Sequence, residues 1–430
     1  MVDRPWPLSS RSSSWGDPLD DVMAKLMPAY NSGARRSDIE AVRRLLRSAL
    51  PARSARHVTV VGTNGKTSTA TYLARLLTSA GQRTGLFTSP HLRSWTERIR
   101  VDLEQVPSSV FADAVLGVHA IAARATALER PGDLRFFDIL TIAAEEIFGG
   151  ARAGVGIFEA GIGGRLDATR CLDAELVLLT GVGDDHESLL GARPQERLRE
   201  KALAARPGST LVSVPLGRAL EAELLTIAAA GDFHVELLDA DADADAGGDG
   251  DGEGDADSAD RAAPRLQRSN LRLARAGMAQ LLPGVLPPPI SSNIDGRLQS
   301  GTAAGVPYIV DVGHNPTAWC AFLDGLPHRR HVVVVAISVP RPVDELVRVL
   351  SAVSHKLASV TVTTTTVRPA QAPAAIADDL VRAGVETQVV EQPDAAFAAA
   401  LQAARARGLP LAVFGSTFVA VDFLAWLRRC

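Results

Sequence analysis

Apolar residues recur at three- and four-residue steps between Leu19 and Leu50, at Val22, Leu26, Ile39, Val42, Leu45, Leu46 and Leu50. Asn31-Ser32-Gly33 interrupts the series, so the spacing predicts two helices ahead of the first strand. The apolar run Val58 to Val61 reads as a buried strand and leads through a glycine-containing turn into a helix, Ser68 to Ala80, with Tyr72, Leu73, Leu76 and Leu77 on one face. The alternation continues with a strand at Thr84 to Thr88, helices at Phe111 to Leu128 and Asp138 to Phe148, and strands at Val155 to Ala160 and Glu175 to Thr180. Buried apolar strands separated by helices predict an α/β fold with a mainly parallel sheet covered on both faces. Asn270 to Leu282 reads as a helix and Pro283 to Pro289 as a linker. A second α/β series follows, with strands at Tyr308 to Val312, His331 to Ile337, Ser359 to Thr365, Glu386 to Val390 and Pro410 to Phe414, and a last helix at Val419 to Arg429.

At 430 residues, 46% of them apolar, the chain fills more than one core. The expected organisation is a flexible start over 1–18, a first domain over 19–290 and a smaller second domain over 291–430. Residues 239–260 hold nine Asp and one Glu with almost no large apolar side chain, which predicts a disordered acidic insertion. The net charge is -4, but without that tract the rest stands at +6, enough for a cationic cleft that takes phosphates. No basic stripe argues for nucleic acid, and no run of about 18 apolar residues argues for a membrane span. Cys171, Cys320 and Cys430 are odd in number and lack CxxC spacing, which suits a reducing cytoplasm.

Gly62-Thr63-Asn64-Gly65-Lys66-Thr67-Ser68 joins a strand to a helix, where backbone N–H groups, the helix dipole and one lysine converge on polyphosphate. The hydroxyl after the lysine suits Mg²⁺. The strict G-x-x-x-x-G-K-[ST] pattern is not met, because position 60 is Val, so the loop is a shortened variant. Thr88-Ser89-Pro90-His91-Leu92 and Thr96 to Val101 follow the second strand, and a loop at the carboxyl edge of a parallel sheet faces the same crevice. Glu159 ends one strand, and Asp185-His186 follows the strand ending at Thr180, so a carboxylate and an imidazole also arrive at that edge. A hard cation on phosphate accepts the carboxylate, with His186 as a further ligand; the plain alternative for His186 is a structural hydrogen bond. Val310 to Pro316, with Asp311 and His314 at a strand's end, is a reasonable nucleotide contact on the second domain.

Together these residues resemble the Mur ligase superfamily and, within it, the folylpolyglutamate synthase and dihydrofolate synthase family. Five blocks carry the resemblance: GTNGKTS at 62–68, SPHLRSWTERIRV at 89–101, FFDILTIAA at 136–144, EAGIGGRLDATR at 159–170 and DVGHNP at 311–316. Weaker echoes are Glu200-Lys201-Ala202, Asp295-Gly296-Arg297-Leu298 and Phe414-Gly415-Ser416. The resemblance implies a P-loop ATPase-type first domain and a Rossmann-like second one. It also implies an ATP-dependent ligase, a cytoplasmic monomer that joins a small-molecule acid to an amino acid, usually glutamate, through an acyl phosphate. ATP and two Mg²⁺ ions are the implied cofactors. Lys66 and the loop would hold the β- and γ-phosphates, Thr67 or Ser68 one metal ion, and Ser89, Glu159 and His186 the second. Lys201 matches a lysine that the family carbamylates into a metal ligand; its plain alternative is a charge on a helix surface. Arg297, Asp311 and His314 match positions that reach ATP. The acid would sit near Ser89, Pro90, His91 and Arg98, and the amine near Gly415 and Ser416.

The chain departs from the family pattern at several points. Thr67 stands where Gly is usual, Arg170 where Asn is, Asp295 where Pro is, and Val312-Gly313 where Gly-Ala is. Ser338-Val339-Pro340-Arg341-Pro342 replaces a usual Asp-Lys-Asp turn. These departures leave room for a paralogue that ligates a different acid or amine, and for a nucleotide-binding protein without turnover.

Overall fold

The computed structural model describes residues 18–30, 36–50, 53–128, 134–239, 265–327, 329–339, 341, 343–366 and 368–430. Of the stretch read as a flexible start only Pro18 is described, where it opens a helix, and of the acidic insertion only Asp239; the remainder of both lies outside the described residues. The chain divides into two compact units, Gln267–Ile290 belonging to the first and Leu266 with Ser291–Cys430 to the second.

The first unit is built on eight strands: β1 Arg56–Val61, β2 Thr84–Phe87, β3 Ile99–Val101, β4 Glu104–Gln105, β5 Val155–Glu159, β6 Leu176–Leu179, β7 Thr210–Ser213 and β8 His234–Leu237. Their order is β4-β3-β2-β5-β1-β6-β7-β8. From β2 across to β8 every pairing is parallel, and β3 and β4 add an antiparallel ribbon at one edge. Because β1 lies between β5 and β6, with Val60 opposite Glu159 and Val61 opposite Leu179, the carboxyl ends of three strands meet at one place.

Helices cover both faces. Helix Ile39–Ala49 turns Ala41, Val42, Leu45, Leu46 and Ala49 inward at helical spacing, and the Asp38 carboxylate caps it by accepting from Glu40 N and Ala41 N. With helices Pro18–Tyr30, Ser108–Leu128 and Phe136–Gly150 it encloses a core around Phe87, Phe111, Phe148 and Phe158. On the opposite side, helices Pro194–Ala202 and Arg218–Gly231 bury Leu198, Leu224 and Ile227 with Leu179 and Leu211. The sequence pattern missed that side. β7 begins and ends on polar Thr210 and Ser213, and β8 at the sheet's edge is at most half-buried, so neither shows the continuous apolar run that marks β6.

The second unit has six strands: β9 Gln299–Ala303, β10 Val306–Val310, β11 His331–Val335, β12 Leu357–Val362, β13 Thr387–Val389 and β14 Leu411–Phe414. Their order is β13-β12-β11-β14-β10-β9, parallel except for the β9–β10 hairpin. Every residue of β11 and β14 is buried, as expected of central strands packed on both faces.

At the amino end of β1, the wholly buried Glu145 carboxylate accepts from Ser54 N at 2.8 Å, Ser54 Oγ at 2.7 Å and His57 Nε2 at 2.8 Å. Glu145→Ala leaves those donors buried and unsatisfied, so it is expected to lower stability by about 3 kcal/mol, with Glu145→Gln losing less. Urea denaturation measures both; a loss below about 1 kcal/mol in the alanine variant would show that water replaces the carboxylate.

Candidate active site

The loop after β1 is shaped by two glycines at which a side chain would be strained. Gly62 has φ +148° and Gly65 φ +87°, both in the region that disfavours a side chain. A Cβ at Gly62 would overlap the Thr180 hydroxyl, and one at Gly65 the Asn270 amide. Gly65 then caps helix Lys66–Ser79, whose first turn closes with Thr69 N donating to Gly65 O at 2.9 Å. The first N–H groups of a helix have no acceptor within it, which makes this end an anion site. Lys66 Nζ bends back over the loop and donates to Gly62 O at 3.1 Å and Thr63 O at 3.0 Å. Thr180 Oγ1 donates to Asn64 O at 2.6 Å, pinning the loop from β6. Ser68 is buried in the helix's first turn.

Glu159, 2% exposed, ends β5 beside that helix. Its two oxygens accept from Thr67 Oγ1 at 3.0 Å each, and Oε2 also accepts from Ser89 N at 3.0 Å. The block after β2 is stitched by Glu97, whose carboxylate accepts from the backbone of Leu92, Arg93 and Ser94. Pro90 follows a cis bond from Ser89. Arg98 Nε donates to His91 Nδ1 at 2.9 Å, and the guanidinium lies 4.6 Å from the Trp95 ring centre. Burial and the Arg98 charge push the His91 imidazole down to about 4, so it is neutral near pH 7. Burial lowers Arg98 to about 10 against the opposing pull of Glu159 and Glu97, and it keeps its charge there. Ser89, Pro90, His91 and Arg98 therefore share one loop that is anchored on Glu159.

Past β6, Asp185 is buried while the His186 side chain is 43% exposed, its Nε2 standing 3.7 Å from Asp185 Oδ2. Lys201, which sequence alone reads as a helix-surface charge, is 3% exposed. Its Nζ donates to Gly62 O at 3.1 Å, so two lysines use the same loop carbonyl. Burial, reinforced by Lys66, lowers Lys201 to about 7, with Asp185 opposing the shift.

In the second unit, Asp311 follows β10 and is half-buried; it accepts from Leu298 N at 2.8 Å and Gly313 N at 2.7 Å. Burial raises its carboxyl, and Arg297 opposes that. His314 Nδ1 lies 3.4 Å from Val312 O, and Asn315 caps helix Pro316–Asp324. Ser416, past β14, caps helix Thr417–Leu427 through its hydroxyl at 3.2 Å from Val419 N. Trp319 Nε1 donates to both Gly313 O and Gly415 O, tying the two strand ends together. The Ser338 to Arg341 turn is held by Val339 N to Pro369 O at 3.1 Å and by Gln371 Nε2 to Arg341 O at 2.6 Å; Pro340 and Pro342 lie outside the described residues.

Sequence reasoning overlooked a cavity of the first unit lined by Arg36, Ser37, Arg135, Phe137, Gly161 and Asp167, among others. Phe137 and Asp167 stand in quoted blocks, but Arg36, Ser37 and Arg135 carry no motif signal. Asp138, whose carboxylate accepts from Ser37 Oγ at 2.6 Å, is pushed up to about 7 by burial. Asn270 against the phosphate loop was also invisible, since it belongs to a helix remote in sequence. Among the described residues no three His, Cys, Asp or Glu side chains form a metal cluster by themselves. The Thr67 hydroxyl and Glu159 carboxylate are instead hard oxygen donors beside a phosphate loop, a set that fits Mg²⁺ bound jointly by protein, phosphate and water. No helix of the described residues is long and apolar enough to cross a membrane.

A loop of the phosphate-binding type at the centre of a mainly parallel sheet, followed by a second α/β unit, defines a two-domain α/β protein with the architecture of mononucleotide binders. Residues 296–416 match the Mur ligase, glutamate ligase domain family, and the chain as a whole has the fold of folylpolyglutamate synthases, so the resemblance carried by the five blocks is borne out. A dihydrofolate synthase/folylpolyglutamate synthase of Escherichia coli (strain K12) is 37% identical over 146 residues, 34% of this chain and 32% of that one. The match thus spans about a third of that relative's length. The structure of Mycobacterium tuberculosis folylpolyglutamate synthase complexed with ADP and AMPPCP superposes with TM-score 0.80 at 22% identity, over 96% of this chain and 99% of that one. The Yersinia pestis bifunctional folylpolyglutamate synthase/dihydrofolate synthase complexed with AMPPNP and a Mn ion gives 0.78 at 22% identity, over 97% and 100%.

Two outcomes follow from this geometry. Gly62→Ala is expected to reduce nucleotide affinity at least about tenfold, since its Cβ displaces Thr180 and with it the loop; calorimetric titration with ADP checks it, and unchanged affinity would mean the loop adapts. Lys201 has a folded value near 7 against 10.5 unfolded, so the unfolded chain binds the extra proton between those pH values. The wild type should therefore gain stability as pH rises from 7 towards 10, and lose it as pH falls back through that window. Lys201→Met should flatten that rise in denaturation curves taken at successive pH values; an identical slope in both proteins would remove the assignment.

Proposed function

We propose that the protein is an ATP-dependent carboxylate–amine ligase of the folate branch, joining glutamate to a pteroate or folate. The observation that carries the reading is the meeting of Lys66, the first turn of helix Lys66–Ser79 and the Thr67–Glu159 pair within one phosphate loop. Phosphoryl transfer asks chiefly for position and for neutralised charge on the transferred oxygens.

In this reading Gly62, Thr63, Asn64, Gly65 and Ser68 shape the cradle, and Lys66 neutralises the β- and γ-phosphates. Thr67 and Glu159, with Ser89, His186 and Lys201, would hold Mg²⁺, which when bound screens the phosphate charge. Lys201 suits carbamylation, because a lysine lowered to about 7 offers a neutral amine to CO₂ and releases one proton as the N–C bond forms. The acid's carboxylate oxygen attacks the γ-phosphorus and ADP leaves. The neutral amine of glutamate then attacks the acyl carbon, phosphate departs with the bonding pair, and the amine proton is lost. Neutral His91 and charged Arg98 orient the acid, helped by Ser89 and Pro90. Arg297, Asp311 and His314 are the second unit's share of nucleotide binding, and Ser416 that of the amino acid. We place the reaction in the cytoplasm, with the chain a monomer that needs neither nucleic acid nor membrane.

One observation favours a second reading, a paralogous amide synthase using another acid or amine: the turn through Ser338 and Arg341 replaces the family's acidic and lysine positions. Incubation with ATP, Mg²⁺, glutamate and dihydropteroate or a reduced folate should yield the amide, ADP and phosphate, read by mass spectrometry. Amide formed only from other acids or amines would select the second reading. Lys66→Ala and Glu159→Gln should each abolish product while circular dichroism stays unchanged, since the first removes charge facing the phosphates and the second removes the carboxylate charge while keeping an acceptor for Thr67 and Ser89. Full activity in either would remove that residue from the mechanism.

A further inference from the structure

Arg197 belongs to none of the sequence motifs. It lies on helix Pro194–Ala202, one turn before Lys201, with its side chain 2% exposed. A guanidinium so enclosed is stable only where hydrogen bonds and opposite charge replace water. Nη1 donates to Gly191 O at 3.2 Å and to Ala192 O at 2.7 Å. Nη2 donates to Asp184 Oδ1 at 2.5 Å, and Glu187 Oε1 stands 3.7 Å from Nη1. These partners sit at both ends of the segment 184–192, which carries Asp185 and His186 between them.

That segment has little regular structure of its own. Its helix, Glu187–Leu190, is four residues long, with His186 at φ +53° before it and Gly191 at φ +107° after it. A histidine in the left-handed region persists only where its surroundings hold it. The front of the loop is tied to the phosphate loop by Gly183 N donating to Thr63 Oγ1 at 2.9 Å and Thr63 N donating to Gly181 O at 3.1 Å. The rear is tied by Arg197.

We propose that Arg197 is a positioning residue of the site: its guanidinium spans the segment 184–192 and sets where Asp185 and His186 stand beside the phosphate loop, without itself touching substrate. The proposal deepens the ligase reading and rests on it for the role of His186. Two carbonyls at one end and a carboxylate at the other need donors diverging from one planar group; a lysine ammonium reaches one end only.

Arg197→Lys, Arg197→Met and the milder Asp184→Asn test it by two measurements that need no ligation. Hydrogen exchange of the metal-free protein should quicken about tenfold or more over 184–192 in Arg197→Met, with β5 and helix Lys66–Ser79 unchanged. The Mg²⁺ concentration at half-maximal AMPPNP binding should rise about tenfold, as for other residues that orient metal ligands, with Arg197→Lys intermediate and Asp184→Asn shifted about twofold to threefold. Wild-type exchange and Mg²⁺ dependence in a folded Arg197→Met would overturn the proposal. So would loss of protection throughout the first unit in that variant together with wild-type behaviour in Asp184→Asn, which would assign Arg197 to folding alone. If the wild type binds Mg²⁺ and nucleotide yet ligates nothing, the ligase reading fails while the two measurements still decide the role of Arg197.

Discussion

A carboxylate with almost no access to water holds the mouth of the first unit together. Burying an anion costs several kcal/mol unless donors replace its hydration, and Glu159 gathers them from three elements. The Thr67 hydroxyl comes from the first turn after the phosphate loop, Ser89 N from the loop after β2, and the charge of Arg98 from the block beyond it. Because β1 runs beside β5, Glu159 stands next to the loop it organises. The position of the 89–98 block thus follows from satisfying Glu159.

The basic residues divide the work in an uneven way. Only four of the 45 are lysines, and two of those, Lys66 and Lys201, donate to the same carbonyl of Gly62. Arginine keeps its proton in such a place, whereas a buried lysine can shed its charge. Burial, then the Lys66 charge, lowers Lys201 to about 7. Arginines elsewhere collect main-chain carbonyls that secondary structure leaves over: Arg53 that of Leu172 at 3.0 Å, Arg56 that of Leu281 at 2.6 Å, Arg206 that of Asp173 at 2.8 Å and Arg407 that of Ala358 at 3.1 Å. Arg56 and Arg407 add an ion pair to the carbonyl, as Arg197 does, but Arg197 has its carbonyl and carboxylate partners at the two ends of one segment, 184–192.

How much was legible in the sequence depended on whether the signal was local. The apolar runs of β1, β5, β6, β11 and β14 are buried on both faces, and the strand-loop-helix order of GTNGKTS was readable because its glycines and lysine are adjacent in the chain. The antiparallel ribbon of β3 and β4 was not, because its pairing with β2 depends on a turn inside a block that reads as loop. Lys201 looked like a surface charge because its burial comes from the phosphate loop and from Asp185, both distant in sequence. Asn270 and the Arg36, Ser37 and Arg135 cavity wall were hidden for the same reason.

The departures from the family pattern can be sorted by what each side chain touches. Arg170, in place of the usual Asn, donates through Nη1 to Leu203 O and to Ala205 O, collecting carbonyls past the end of helix Pro194–Ala202. Its work is to hold the helix that carries Arg197 and Lys201 against the turn after β5. Gly313 donates to Asp311 and accepts from Trp319, so Val312-Gly313 keeps the β10 and β14 ends joined. Thr67 stands in the first turn of the helix after the loop that follows β1, and there it adds a hydroxyl on Glu159 that the usual glycine cannot supply. A glycine would leave Glu159 with Ser89 N as its backbone donor and a more flexible first turn. Thr67 therefore stiffens the helix start and offsets part of the cost of the buried carboxylate.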